Sequence, residues 1–145
     1  MKVVAFNIKE FEKVELALAN AKVHDFTLIS NELNLRTFHY ALGKEVVIIS
    51  EDDQVGAALL DALYDVGVNK IITRSFAVEH IDLDYASKIG IHVANIPDVT
   101  PVPKNVAMRT IAILNNWANG KCQGEACRCL TSCPYKNQQT LPIRE

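Results

Sequence analysis

KIITRSFAVEHIDLDYASKIGIHVANIPDVTP (residues 70–101) is the stretch whose reading decides the fold. It opens on Lys70–Thr73, a run rich in isoleucine and too short for a helix. Asp82 stands where a helix N-cap belongs, its carboxylate able to accept from an amide two or three residues on. Gly90 sits where a helix end calls for a left-handed residue. A second apolar run, residues 92–96, follows at once, and the prolines Pro97, Pro101 and Pro103 then hold the backbone extended. Strand, loop, helix, strand is a parallel unit, because two strands running the same way need a crossover between them.

Working outward, residues 3–6, 26–29 and 46–49 repeat the short Val- and Ile-rich run. Continuous apolar runs of that length fit parallel strands buried on both faces. Between them Phe11, Val14 and Leu18 recur at helical spacing, as do Leu35, Phe38 and Leu42, with Gly43 placed to stop that helix. Val55, Leu59, Leu60 and Leu63 mark another helix, with Asp52 or Asp53 placed to cap it and Gly67 behind it. Pro103 can start a last helix over 103–117, with Val106, Ala107, Thr110, Ile111, Leu114 and Trp117 on its inner face. Five strands alternating with helices predict an α/β fold, a doubly wound parallel five-stranded sheet. One domain, residues 1–120, holds it. Residues 121–145 show neither period and form a separate cysteine-rich tail.

Composition narrows the function. The 145 residues suit one domain, and the formal charge of −2 gives no basic field for nucleic acid or an anionic membrane surface. Neither partner is expected. No apolar run reaches the roughly 18 residues of a membrane span, and the start lacks the apolar region of a signal peptide. A cytoplasmic location is the expectation.

The opening stretch resembles the substrate-binding domain of the D-2-hydroxyacid dehydrogenases. Leu33, Thr37, Ala41, Gly43 and Val46 fall where the fermentative D-lactate dehydrogenases of that family place L…T…A-x-G…V. Residues 61–74, DALYDVGVNKIITR, resemble their L-x-x-L-G-V-K-x-I-x-x-R. The resemblance runs over residues 1–117 and implies a flavodoxin-like substrate domain. In that family the loop after the fourth strand reads R-S-x-G-x-D/N-x-x-D, and its amides help hold the substrate carboxylate. Here it reads Arg74-Ser75-Phe76-Ala77-Val78-Glu79-His80-Ile81-Asp82. The resemblance thus nominates Ser75, Phe76, Ala77 and Val78 as substrate-binding candidates, with Asn95 from the next motif. Ala77 stands at the family's glycine and puts a methyl where a ligand should approach. Val99 and Val106 replace a tyrosine and a glutamate of the later motif.

Hydride transfer to a 2-oxo acid needs a bound dinucleotide, an acid/base and a cation for the carboxylate. The family draws these from its nucleotide domain, and no Gly-x-Gly-x-x-Gly occurs in this sequence. The reading therefore assigns no catalytic and no NAD-binding residue. It expects a stand-alone, non-catalytic binding or regulatory protein for a small 2-hydroxy or 2-oxo carboxylic acid. The alternative is a subunit of a split NAD-dependent dehydrogenase completed by a separate nucleotide-binding chain. A homo-oligomeric module with a vestigial cleft is the third reading. The bland readings of the remaining polar residues make His80 and His92 ordinary loop and strand residues, and His24 and His39 solvated. They pair Arg74 with Glu79 or Asp82, and turn Glu51, Asp52 and Asp53 to water as a helix cap.

The tail carries Cys122, Cys127, Cys129 and Cys133 in a C-x4-C-x-C-x3-C pattern followed by Pro134. Four cysteines so close in a reducing compartment point to metal ligation. The closing C-x3-C-P suits an iron–sulfur cluster, and the C-x-C pair suits zinc. Free thiols or disulfides without a metal are the third alternative.

Overall fold

The computed structural model describes residues 1–96 and 100–121. Its elements run β1 (Lys2–Ala5), α1 (Glu10–Asn20), β2 (Asp25–Leu28), a 3₁₀ turn (Phe38–Ala41), β3 (Val46–Ile49), α2 (Ala57–Asp65), β4 (Lys70–Thr73), α3 (Leu83–Ile89), β5 (His92–Ala94) and α4 (Pro103–Ala118). The strands form one five-stranded sheet in the order β2-β1-β3-β4-β5, every pair parallel. This is the flavodoxin-like order of doubly wound sheets. All five strands expected from the sequence are present.

Both faces of the sheet are covered, which is why its strands read as unbroken apolar runs. Val4, Val47, Ile49, Ile71 and Val93 pack against Leu59, Leu60 and Leu63 of α2 and Leu83 and Ala86 of α3. Val3, Ala5, Val46, Ile48, Ile72 and Ala94 pack against Leu16 of α1 and Ala107, Ile111, Leu114 and Trp117 of α4. Asp82 caps α3 as expected, its Oδ1 accepting from the Tyr85 amide at 3.1 Å. Gly90 closes the helix at φ +89°, a conformation that an L side chain strains.

Three local expectations are corrected. The Leu35–Phe38–Leu42 pattern is not an α-helix but a single 3₁₀ turn over Phe38–Ala41. Side chains take the backbone's bonds there: Thr37 Oγ1 donates to the Glu32 carbonyl (2.7 Å) and accepts from the Asn34 amide (3.0 Å). Asn34 Oδ1 accepts from the Arg36 amide at 2.8 Å, so short polar side chains outcompete the helix. In α1, Phe11, Val14 and Leu18 are the outer stripe, 62%, 60% and 70% exposed. Its inner stripe is Glu12, Leu16 and Asn20 at four-residue spacing, with polar ends drawn inward by Arg74 and by the His24 backbone. Neither Asp52 nor Asp53 caps α2, whose N-cap is Gly56 without a side-chain bond.

Candidate functional site

In open α/β sheets ligands bind beyond the carboxyl ends of the strands, where the strand order reverses. Here that point lies between β1 and β3, and a polar knot closes it. Asp53, 1% exposed, accepts from the Ser50 amide (2.9 Å), the Leu33 amide (3.0 Å) and Asn7 Nδ2 (3.4 Å). Asn7 also donates to Ser50 Oγ and accepts from Lys9 Nζ, which holds it at φ +57°. Asparagine is among the few residues that tolerate that region. Glu51 and Asp52 face water as expected, but Asp53 is buried structure.

Arg74 follows β4 and reaches back across this edge. Its Nε and one terminal nitrogen donate to Glu12 at 2.9 and 3.4 Å, and its terminal nitrogens donate to the Phe6 and Asn7 carbonyls at 3.1 and 3.0 Å. The partner is therefore Glu12 of α1, rather than Glu79 or Asp82. With 4% of its side chain exposed, Arg74 is a strut between β4, β1 and α1.

The next residues form the candidate loop. Its three consecutive carbonyls are all occupied: Ser75 O accepts from the Ile96 amide (2.9 Å), Phe76 O from Asn95 Nδ2 (2.8 Å) and Ala77 O from Ser75 Oγ (2.8 Å). The structure thus gathers Ser75, Phe76, Ala77 and Asn95 into one unit, with Val78 completing the turn by accepting from the Ile81 amide at 3.0 Å. Among the described residues, no hydrogen bond of the loop comes from the amides of Phe76, Ala77 or Val78. A planar trans peptide points its N–H opposite its carbonyl, so each tied carbonyl turns the following amide away from its partner. Phe76 is 71% exposed and does not fill the space beside the loop.

Beneath the loop, His80 Nε2 lies 2.9 Å from Thr73 Oγ1, which lies 2.7 Å from Ser75 Oγ. His80 is 8% exposed, and burial lowers its pKa from 6.5 despite the opposing carboxylates of Glu51, Asp53, Glu79 and Asp52. The His80 carbonyl accepts from Val55 N at 2.8 Å, fastening this loop to the start of α2. Nearby, a cavity of about 270 Å³ opens between α1, α4 and the end of β4, lined by Glu12, Glu51, Arg74, Pro101 and Pro103 among others. With two carboxylates and an arginine already paired to one of them, it is poorly suited to a carboxylate ligand.

The other histidines are resolved differently. His24 is 7% exposed, contrary to the solvated reading, and its Nε2 bonds Asn115 Oδ1 of α4 at 2.7 Å. His39 is exposed and tilts against Tyr40. Cys122, Cys127, Cys129, Cys133 and Val99 lie outside the described residues. Among the described residues no three His, Cys, Asp or Glu side chains gather to hold a metal, and no helix is long and apolar enough to cross a membrane.

The molecule is thus a flavodoxin-like α/β domain with a carbonyl-anchored loop beyond its fourth strand. Residues 3–107 match the catalytic-domain model of the D-isomer specific 2-hydroxyacid dehydrogenases, and the chain belongs to that family. 2-Hydroxyacid dehydrogenase A of Aspergillus oryzae is 30% identical over 105 residues, covering 70% of this chain and 30% of that protein. The apo-structure of D-lactate dehydrogenase from Escherichia coli superposes with a TM-score of 0.67 at 27% identity, covering 70% of this chain and 32% of that one. D-2-hydroxyisocaproate dehydrogenase shares the fold over 97% of this chain and 42% of its own, with a TM-score of 0.64 at 19% identity. The chain thus spans about a third of the length of the curated relatives it matches.

Sequence reading missed two parts of this edge, the Asp53 knot and the Arg74–Glu12 pair. Ser50 apart, their partners lie 20 to 62 residues away, beyond any local pattern. The S-x-x-D spacing of Ser50 and Asp53 was the one available signal, since it is also a turn signature.

Proposed function

We propose that this chain binds the carboxylate of a small 2-oxo or 2-hydroxy acid on the backbone amides of Phe76, Ala77 and Val78. The observation that carries the reading is the anchoring of the three preceding carbonyls by Ile96, Asn95 and Ser75, which leaves those amides pointing elsewhere. Oriented amides are an established way for proteins to hold anions. Family membership supports the ligand class, since the relatives are described as 2-hydroxyacid dehydrogenases and 2-oxoacid reductases. Titrating ¹⁵N-labelled protein with pyruvate and with D-lactate tests it. Amide shifts at 76–78 are expected; their absence at about 10 mM, a level that would occupy most of a site of ~1 mM Kd (about −4 kcal/mol), refutes the reading.

Hydride transfer in this reading needs a nucleotide-binding body besides residues 1–145, because the glycine fingerprint for a dinucleotide does not occur in them. Calorimetry of the chain with NAD alone is expected to give no binding heat; a stoichiometric isotherm would overturn this part. Cys122, Cys127, Cys129 and Cys133 are proposed to share one thiolate-bound metal centre, zinc or iron–sulfur. Anaerobic purification yielding under about 0.2 equivalents of iron plus zinc, with free thiols, would reject it.

A further inference from the structure

We infer that Thr73 and His80 are positioning residues for the carboxylate loop, acting through a hydrogen-bond relay whose direction is fixed. The order follows from counting protons. Ser75 Oγ sits 2.8 Å from the Ala77 carbonyl, which has no proton of its own, so the serine donates there. The serine's single proton is then spent, and at the 2.7 Å contact Ser75 must accept from Thr73 Oγ1. Thr73 has likewise spent its proton, so at 2.9 Å it accepts from His80 Nε2–H. The chain runs one way: His80 to Thr73 to Ser75 to the Ala77 carbonyl. Its consequence is that neutral His80 is confined to the Nε2–H tautomer, because the other would set two lone pairs face to face.

The relay matters because the Ala77 carbonyl is one end of a rigid peptide whose other end is the Val78 amide. Holding that carbonyl toward Ser75 fixes the direction of the amide proposed above to meet a carboxylate. Thr73 is fully buried, and Ser75 and His80 are 9% and 8% exposed, so water does not readily replace a missing member.

This inference rests on the proposed carboxylate site, and its test separates the two. Thr73→Val keeps the shape and removes the hydroxyl, whereas Thr73→Ser keeps the hydroxyl. In pyruvate titrations Thr73→Val is expected to weaken binding about tenfold, the worth of roughly one hydrogen bond, and Thr73→Ser to stay within about twofold of wild type. Two measurements need no ligand. Long-range ¹H–¹⁵N spectra should show His80 protonated at Nε2, and the Phe76–Val78 amide resonances should move in Thr73→Val and in Ser75→Ala but return in Thr73→Ser. Wild-type His80 protonated only at Nδ1, or loop amides unmoved in a folded Thr73→Val protein, overturns the relay whether or not pyruvate binds. A wild-type protein that shows the tautomer and the loop shifts yet ignores pyruvate retains the relay and loses the carboxylate site.

Discussion

Replacing Asp53 by alanine should be among the most damaging single changes at the carboxyl edge of the sheet. The carboxylate is 1% exposed and receives the amides of Ser50 and Leu33 at 2.9 and 3.0 Å, plus the weaker 3.4 Å contact from Asn7. Alanine leaves two backbone N–H groups without an acceptor, each costing about 1–3 kcal/mol when buried. Some water enters the space vacated, so a total near 3–4 kcal/mol is the working figure, a large part of the ~5–15 kcal/mol of an ordinary domain. At roughly 4 °C per kcal/mol for a domain of this size, Tm falls about 12–16 °C. Asp53→Asn keeps one acceptor oxygen and turns an NH₂ toward the other amide, so about half that loss is expected. Urea unfolding of the three proteins, with m unchanged, measures it. An Asp53→Ala protein within about 0.5 kcal/mol of wild type would show that the knot is ornamental.

Arg74→Lys should cost about 2–3 kcal/mol, because one ammonium cannot serve Glu12 and two carbonyls together; a double-mutant cycle with Glu12→Gln should show coupling above ~1 kcal/mol, and additivity would disprove the strut. In α1, Leu16→Ala should cost about 2–5 kcal/mol and Leu18→Ala under about 0.5, judged by chemical unfolding; the reverse order would restore the orientation expected from periodicity. His80 supplies a pH test. Its folded pKa lies below 6.5, so its contribution is full above that value and is lost as pH falls through the folded pKa. Replacement by glutamine, which can still donate to Thr73, should flatten that limb of the stability–pH curve. An unchanged curve would refute the assignment.

The strands were legible because burial on two faces demands uninterrupted apolar residues; β3 and β4 are buried at every position. Helix existence was legible for the same reason, but not the facing of α1. Eleven residues carry two competing stripes, and the buried one is disguised by Glu12 and Asn20. Polar ends are tolerable inside only because Arg74 and the His24 backbone meet them, which no window of sequence reveals. The 3₁₀ turn failed differently: the apolar spacing of Leu35, Phe38 and Leu42 was genuine, and the deciding residues were Asn34 and Thr37. The family resemblance singled out residues 75–78 in the sequence, while the hydrogen bonds beneath them are visible only in three dimensions. Thr73, Ser75 and His80 look unremarkable in the sequence, and their coupling comes from the turn that brings residue 80 back under residue 73.

In the proposed site the loop would offer a carboxylate backbone dipoles and no cation of its own, and that limits what this domain can do alone. Arg74 is committed to Glu12 and two carbonyls, so its guanidinium is not available to a carboxylate beyond the loop. His80 is buried with its pKa lowered, so at neutral pH it too is uncharged. Hydrogen bonds to a charged group bring about 1.5–3 kcal/mol each, and association costs at least ~4 kcal/mol in lost freedom. Two or three amides therefore support affinity near the millimolar range and no tighter. A second body that brought a cation to the opposite side of the same carboxylate would add the missing Coulomb term in a site it also dries, where such terms are strongest. The expected signature is a pyruvate affinity that is weak and nearly independent of ionic strength for the chain alone. A strong salt dependence would mean that a charged side chain already faces the ligand, and the dipole account of the loop would fall.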